Sequence, residues 1–118
     1  MKKEESILQQ WYHIWLDSHH ILHNASVSAV KVSMGVAVQM KRAGYRKGYP
    51  DISIFEPRGK YHGMFVELKS STGVASPEQE QWHKELTARG YYAVIMPALP
   101  FQKAQEWLKR VTWDYLSN

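Results

Sequence analysis

The sequence predicts an α/β fold, a small mixed β-sheet flanked by helices, and three observations carry that prediction. Residues 51–55 and 64–69 are apolar runs separated by the turn Glu56-Pro57-Arg58-Gly59-Lys60, so they read as a hairpin. A helix with clear punctuation follows, with Ser76 at its N-cap, Pro77 in its first position, Gln79 two residues on, and a stop at Gly90. The apolar run Tyr91 to Met96 then makes a strand on the far side of that helix.

The remaining elements complete the order α-β-(α)-β-β-α-β-α. Residues 5–17 read as a helix, because Ile7, Leu8, Trp11, Ile14 and Trp15 recur at helical spacing. His19 to Asn24 is short and reads as a strand or a turn into one. Residues 27–40 fit two periods. Val30, Val32, Met34, Val36, Val38 and Met40 alternate as in a strand, whereas Val30, Met34, Ala37, Val38 and Lys41 suit a helix that stops at Gly44. The reading adopted is a helix over 33–43. Residues 70–75 are a loop, Pro97 and Pro100 bracket a turn, and Phe101, Ala104, Leu108, Val111 and Tyr115 mark a last helix. With 118 residues, no repeats and no linker, the chain is expected to form one domain.

Composition removes several kinds of chemistry. The chain has no cysteine, which excludes thiol catalysis, a disulfide framework and Cys-based zinc sites, and suits a reducing cytoplasm. No stretch approaches the roughly 18 apolar residues of a membrane span, and the basic-acidic start has no apolar segment behind it, so neither a membrane partner nor a signal peptide is expected. Fifteen Lys and Arg against eleven Asp and Glu give a net charge of +4, which permits nucleic-acid binding. Lys41, Arg42, Arg46 and Lys47 precede Asp51, and Arg58 and Lys60 lie in the next turn, giving an expected basic rim around an acidic centre. A solvated loop explains the same charges equally simply.

The acidic centre is Asp51, Glu67 and Lys69. Side chains alternate along a strand, so Phe65, Glu67 and Lys69 share one face and Val66 and Leu68 the other, with Glu67 and Lys69 about 7 Å apart along the backbone. The turn at 56–60 folds the strand of Asp51 alongside. A hard divalent ion, Mg²⁺ or Mn²⁺, takes oxygen ligands. Asp51 and Glu67 supply two, and a nearby main-chain carbonyl, most simply that of Leu68, a third. Lys69 would orient the attacking water, help deprotonate it or offset charge on a phosphate. Two carboxylates and a lysine so placed point to metal-dependent phosphodiester cleavage. A plain Glu-x-Lys surface ion pair competes with this reading. Against it stand the apolar setting of the strand, where unpaired charge is costly, and the fixed geometry of Gly48-Tyr49-Pro50 before Asp51.

The ordered set Gly44-Tyr-Arg-Lys-Gly-Tyr-Pro-Asp51, Gly63-Met-Phe-Val-Glu-Leu-Lys69, Ser76-Pro-Glu-Gln79 and Gly90-Tyr91 resembles the VRR-NUC family of the PD-(D/E)xK nuclease superfamily. The resemblance implies a restriction-endonuclease-like core in which Asp51 and Glu67 bind metal, Lys69 is the catalytic lysine and Gln79 is a further active-site residue. Taken alone, Gln79 is accounted for by closing a capping box on Ser76. The resemblance also implies a metal-ligating glutamate from the first helix, Glu5, with Glu4 next in line. Its further implications are branched or junction DNA as substrate and a homodimer that places two sites on two strands. Residues 25–43 match no part of that pattern. Asn24 is given no role.

Other residues have bland explanations. His19 and His23 are four apart, a metal-ligand spacing on a helix, but the segment reads as a helix end or strand. His62 and His83 read as surface residues. Trp11, Trp15, Trp82 and Trp107 fall at core spacings, whereas Tyr45, Tyr49 and Tyr61 flank basic residues and are candidates to stack on bases. Two other functions compete with cleavage: a non-catalytic nucleic-acid-binding module that kept the fold, and an interaction domain using the Val- and Met-rich segment.

Overall fold

A computed structural model describes residues 3–26 and 31–118. Its elements are α1 (Lys3–Ser18), β1 (His23–Ala25), α2 (Met34–Arg42), β2 (Ile52–Ile54), β3 (Met64–Glu67), α3 (Pro77–Ala88), β4 (Tyr92–Ile95) and α4 (Phe101–Leu116). The four strands form one mixed sheet in the order β1-β2-β3-β4. The first two pairings are antiparallel and β3 runs parallel to β4. A parallel pair needs a crossover, and α3 supplies it.

The pleat of the β2–β3 hairpin sorts the molecule into two sides. Ile52 pairs with Val66 and Ile54 with Met64. These four, with Leu68, join Leu8, Tyr12 and Leu16 of α1 and Ala104, Leu108 and Tyr115 of α4 in the hydrophobic core. Leu8, Tyr12 and Leu16 are four residues apart, so one stripe of α1 is buried. On the opposite face Ser53 pairs with Phe65, whose ring lies against Tyr49 and Tyr91. Asp51, Glu67 and Lys69 continue that odd-numbered face, so alternation separates the polar residues from the core of the same strands.

The expected elements are present, with ends shifted by at most two residues, except that β1 starts at His23, four residues after His19. The helix expected over 33–43 is α2, capped by Ser33, whose hydroxyl accepts from the Val36 amide at 3.2 Å. It carries no buried residue, and Met34 is 84% exposed. The strand alternative for 27–40 falls partly on residues 27–30, outside the described residues. Trp11, Trp15 and Trp107 pack against the core as expected. Trp82 does not. Its ring stands edge-on to Tyr49 and its indole nitrogen donates to the Lys47 carbonyl at 3.0 Å. Helical spacing put it on an inward face of α3, and what covers that face is the loop before β2. No helix among the described residues is long and apolar enough to cross a membrane.

Candidate active site

Four side chains from three segments converge at one end of the hairpin. Asp51 directly precedes β2, and its carbonyl accepts from the Ser26 amide of the neighbouring chain segment at 2.8 Å. Its carboxylate turns inward, where Oδ2 accepts from the Leu68 amide at 2.7 Å. Glu67 ends β3, its backbone held by the Met96 amide at 2.9 Å. Lys69 follows on the same face. Gln79 enters from the first turn of α3.

The side chains of Glu67, Lys69 and Gln79 form a closed triangle of hydrogen bonds. The Lys69 ammonium donates to Glu67 Oε2 at 3.3 Å and to Gln79 Oε1 at 2.9 Å. Gln79 Nε2 donates to the same Glu67 oxygen at 2.9 Å. Gln79 also closes the capping box: its amide nitrogen donates to Ser76 Oγ, and its Oε1 accepts from the Ser76 amide. Capping and site membership, which compete in the sequence, are met here by one side chain.

Asp51, Glu67 and Lys69 are each 5% exposed. Burying two carboxylates beside one ammonium leaves the balance negative, and the effect falls on Glu67. Burial first, then the neighbouring charge of Asp51, pushes its carboxyl up to about 9 against the opposing pull of Lys69. Its second oxygen, Oε1, is buried without a hydrogen-bond donor. A solvent-shielded oxygen with no donor, next to a second carboxylate, fits a hard cation better than it fits a closed salt bridge.

The approach of α3 depends on Gly48. It has a φ of +91°, and a Cβ there would lie 2.7 Å from the Glu78 backbone and 2.9 Å from the Gln79 nitrogen. The Gly48-Tyr49-Pro50 turn therefore presses on the helix start that holds Gln79, while Tyr49 Oη meets Ser53 Oγ at 3.0 Å. Glu4, the second choice from the first helix, accepts from the Ser71 amide at 2.6 Å and tethers α1 to the loop after Lys69. Glu5 is half-buried beside it. Ser70 was not anticipated. It is 1% exposed, follows Lys69 directly, and its hydroxyl has no partner. A lone serine in a loop gives no signal of this in the sequence.

The expected basic rim divides. Arg46 and Lys47 line an open cavity of about 560 Å³ with Trp82, Leu86 and Arg89, next to the Gly48 contact. Lys41 and Arg42 are exposed in the last turn of α2. Arg58 and Lys60, however, sit in the hairpin turn at the opposite end of β2 and β3 from Asp51 and Glu67. Arg58 donates to the Leu116 and Pro57 carbonyls and pairs with Glu56. Tyr61 packs against Tyr92 and Tyr115. These three thus lie at the far end of the sheet from the carboxylates, because a hairpin carries its turn away from its open ends. Tyr49, wedged between Phe65 and Trp82, has a packing role as well.

The family model described as VRR-NUC domain matches residues 3–99. A solved structure titled "VRR_NUC domain protein" superposes with a TM-score of 0.73 at 24% identity, over 99% of this chain and 91% of that one. A second, titled "VRR_NUC domain", gives 0.58 at 21% identity, over 92% and 97%. At these identities the superpositions speak for the fold. No curated protein matches the sequence.

Proposed function

This chain belongs to the VRR-NUC family of nuclease domains, and on that premise we propose that it is a Mg²⁺- or Mn²⁺-dependent DNA endonuclease of one domain, selective for branched or junction DNA. The observation that carries the reading is the donorless Glu67 Oε1 beside Asp51, with Lys69 fixed against the same glutamate. Asp51 and Glu67 would hold the ion, with the Leu68 carbonyl and Glu5 as further oxygens. When bound there, the ion supplies water activation and neutralises charge on the scissile phosphate.

The chain's own groups do the rest. An ammonium has three protons, and Lys69 spends two of them on Glu67 and Gln79. The third remains for a phosphate oxygen or the attacking water. Gln79 fixes that direction, because its amide oxygen is itself fixed by the Ser76 amide. Arg46 and Lys47 lie where they would follow the flanking backbone, with phosphate contacts that supply affinity rather than sequence preference. Lys41 and Arg42, exposed in the last turn of α2, would add further phosphate contacts. A homodimer fits this reading by placing two sites on two strands, and the exposed Met34, Val36 and Val38 of α2 offer it apolar surface. The cysteine-free composition suits the reducing cytoplasm.

The test is to incubate the purified protein with supercoiled plasmid, splayed arms and a four-way junction, with Mn²⁺, Mg²⁺ or EDTA, beside Asp51→Ala and Lys69→Ala. Metal-dependent cutting that disappears in both variants is the expected result. Binding without cutting under either metal would instead identify a non-catalytic nucleic-acid-binding module.

A further inference from the structure

A second polar cluster lies away from the carboxylates, where α1 turns into β1. His20 there has a φ of +57°, and the Ile21 amide reaches back to the Leu16 carbonyl at 3.1 Å. This left-handed cap reverses the chain and returns His23 alongside the helix it has just left. His23 therefore meets His13 and Asp17, which are four apart on one face of α1. The sequence pairs His23 with His19 instead. That spacing requires a continuous helix, and His19 in fact packs tilted against Trp15 and edge-on to Trp113.

We propose that His13, Asp17 and His23 form a binding site for a borderline divalent transition-metal ion, Zn²⁺ in the first instance, that clips α1 to the edge strand. One ligand atom from each of the three lies within 4.8 Å of the others. His13 Nδ1 and His23 Nε2 are hydrogen-bonded at 2.8 Å, and a bound ion would displace the shared proton. His23 Nδ1 lies 2.8 Å from the Ile21 carbonyl, an acceptor only, so this nitrogen carries the proton and Nε2 presents its lone pair. A backbone carbonyl fixing the tautomer of a nearly buried imidazole is the usual outer support of a metal-bound histidine. The His23 side chain is 3% exposed and so is held in place, whereas Asp17 is on the surface and turns toward the third position with little steric resistance.

Two imidazoles and one carboxylate suit Zn²⁺, with a water in the fourth position. Tetrahedral bonds of about 2.0 Å put ligand atoms about 3.3 Å apart, close to the 2.8 Å now between His13 Nδ1 and His23 Nε2. The donor set also separates this site from the first. Imidazole nitrogen favours Zn²⁺ over Mg²⁺, and the all-oxygen site around Asp51 and Glu67 has the reverse preference. Its effect on the fold follows from the sheet. Three residues beyond His23, the Ser26 amide holds the Asp51 carbonyl, so an ion at the start of β1 stiffens the strand that supports Asp51.

The experiment uses the full, tag-free chain in the Asp51→Ala background, with Mg²⁺ in excess, so that zinc at the carboxylates is not counted. Equilibrium dialysis is expected to give one Zn²⁺ per chain, Co²⁺ to give the visible d–d bands of a four-coordinate site, and Zn²⁺ to raise Tm by about 5 °C. His13→Asn and Asp17→Asn, both at exposed positions, should each weaken zinc binding at least tenfold and abolish the Tm rise. Stoichiometry and affinity unchanged in His13→Asn overturn the proposal, as does the absence of zinc binding from the Asp51→Ala protein. The two outcomes are independent of whether the wild-type chain cuts DNA.

Discussion

Two groups of buried polar side chains among the described residues are satisfied to different degrees. Between α1 and α4, Tyr12 Oη lies 2.6 Å from Thr112 Oγ1, which in turn donates to the Leu108 carbonyl at 2.6 Å. Donors and acceptors pair off, and burial raises the Tyr12 phenol so far that it stays neutral. Across the hairpin, Asp51, Glu67 and Lys69 are also buried, with Gln79 half-buried beside them, yet Glu67 keeps one oxygen without a donor and a carboxyl raised to about 9. Both groups lose hydration. The first recovers that loss in full by hydrogen bonds inside the protein, the second only in part, since Glu67 Oε1 is left over. Of these two groups the satisfied one belongs to the architecture, and the incompletely satisfied one is where a group from outside would be accommodated.

The largest effect should come from removing the charges of the unsatisfied group. Asp51→Ala and Lys69→Ala should each lower the cutting rate on the order of 10³-fold, measured on supercoiled plasmid with Mn²⁺, while Tyr12→Phe leaves it within about twofold. A comparable loss in all three would dissolve the contrast between the two groups.

Glu67→Gln should act on stability in the opposite sense. With its folded carboxyl near 9 and its unfolded one in the ordinary range, the native state holds a proton that the unfolded chain has released. That contribution is whole below about pH 4.5 and is lost as pH rises toward about 9. Chemical denaturation in EDTA should therefore show the variant gaining on the wild type with pH, by a few kcal/mol at about pH 9 and by almost nothing at about pH 4.5. Added Mn²⁺ should stabilise the wild type and not the variant. A difference that is flat across this range would place the Glu67 carboxyl in the ordinary range.

Gly48→Ala probes the contact between the two halves of the site. A positive φ and a 2.7 Å approach to backbone should make it cost about 1–3 kcal/mol, and the cutting rate should fall because Gln79 is pushed outward. The smallest effect is expected for Tyr12→Phe, about 1 kcal/mol and independent of pH below 9, since Thr112 keeps its bond to Leu108.

Much of this site is legible before any coordinates, because the pleat is a strict rule. Once 51–55 and 64–69 are a hairpin, residues 65, 67 and 69 must share a face, but that Asp51 lies on the same side follows only from the register that pairs Ser53 with Phe65. Gln79 is legible as a cap from Ser76 and Pro77 alone. What sequence does not carry is where a turn ends up. Arg58 and Lys60 are near Asp51 in number and at the other end of the strands in space. Trp82 shows the same limit, since helical period names the face of α3 it lies on and not the loop that covers it. For α2, alternating Val and Met satisfy both periods, and with no buried residue in that helix there is no packing to break the tie. The pairing of His13 with His23 depends on a single left-handed residue, His20, for which the sequence gives no glycine as warning.

Gln79 Oε1 serves two donors at once, the Ser76 amide that begins α3 and the Lys69 ammonium. Fraying of the first turn of α3 and loss of the lysine's orientation are therefore the same event. The Ser76 amide proton becomes a clock for it: its hydrogen-exchange rate counts how often the helix start opens, and each opening is an interval in which the lysine is unaimed.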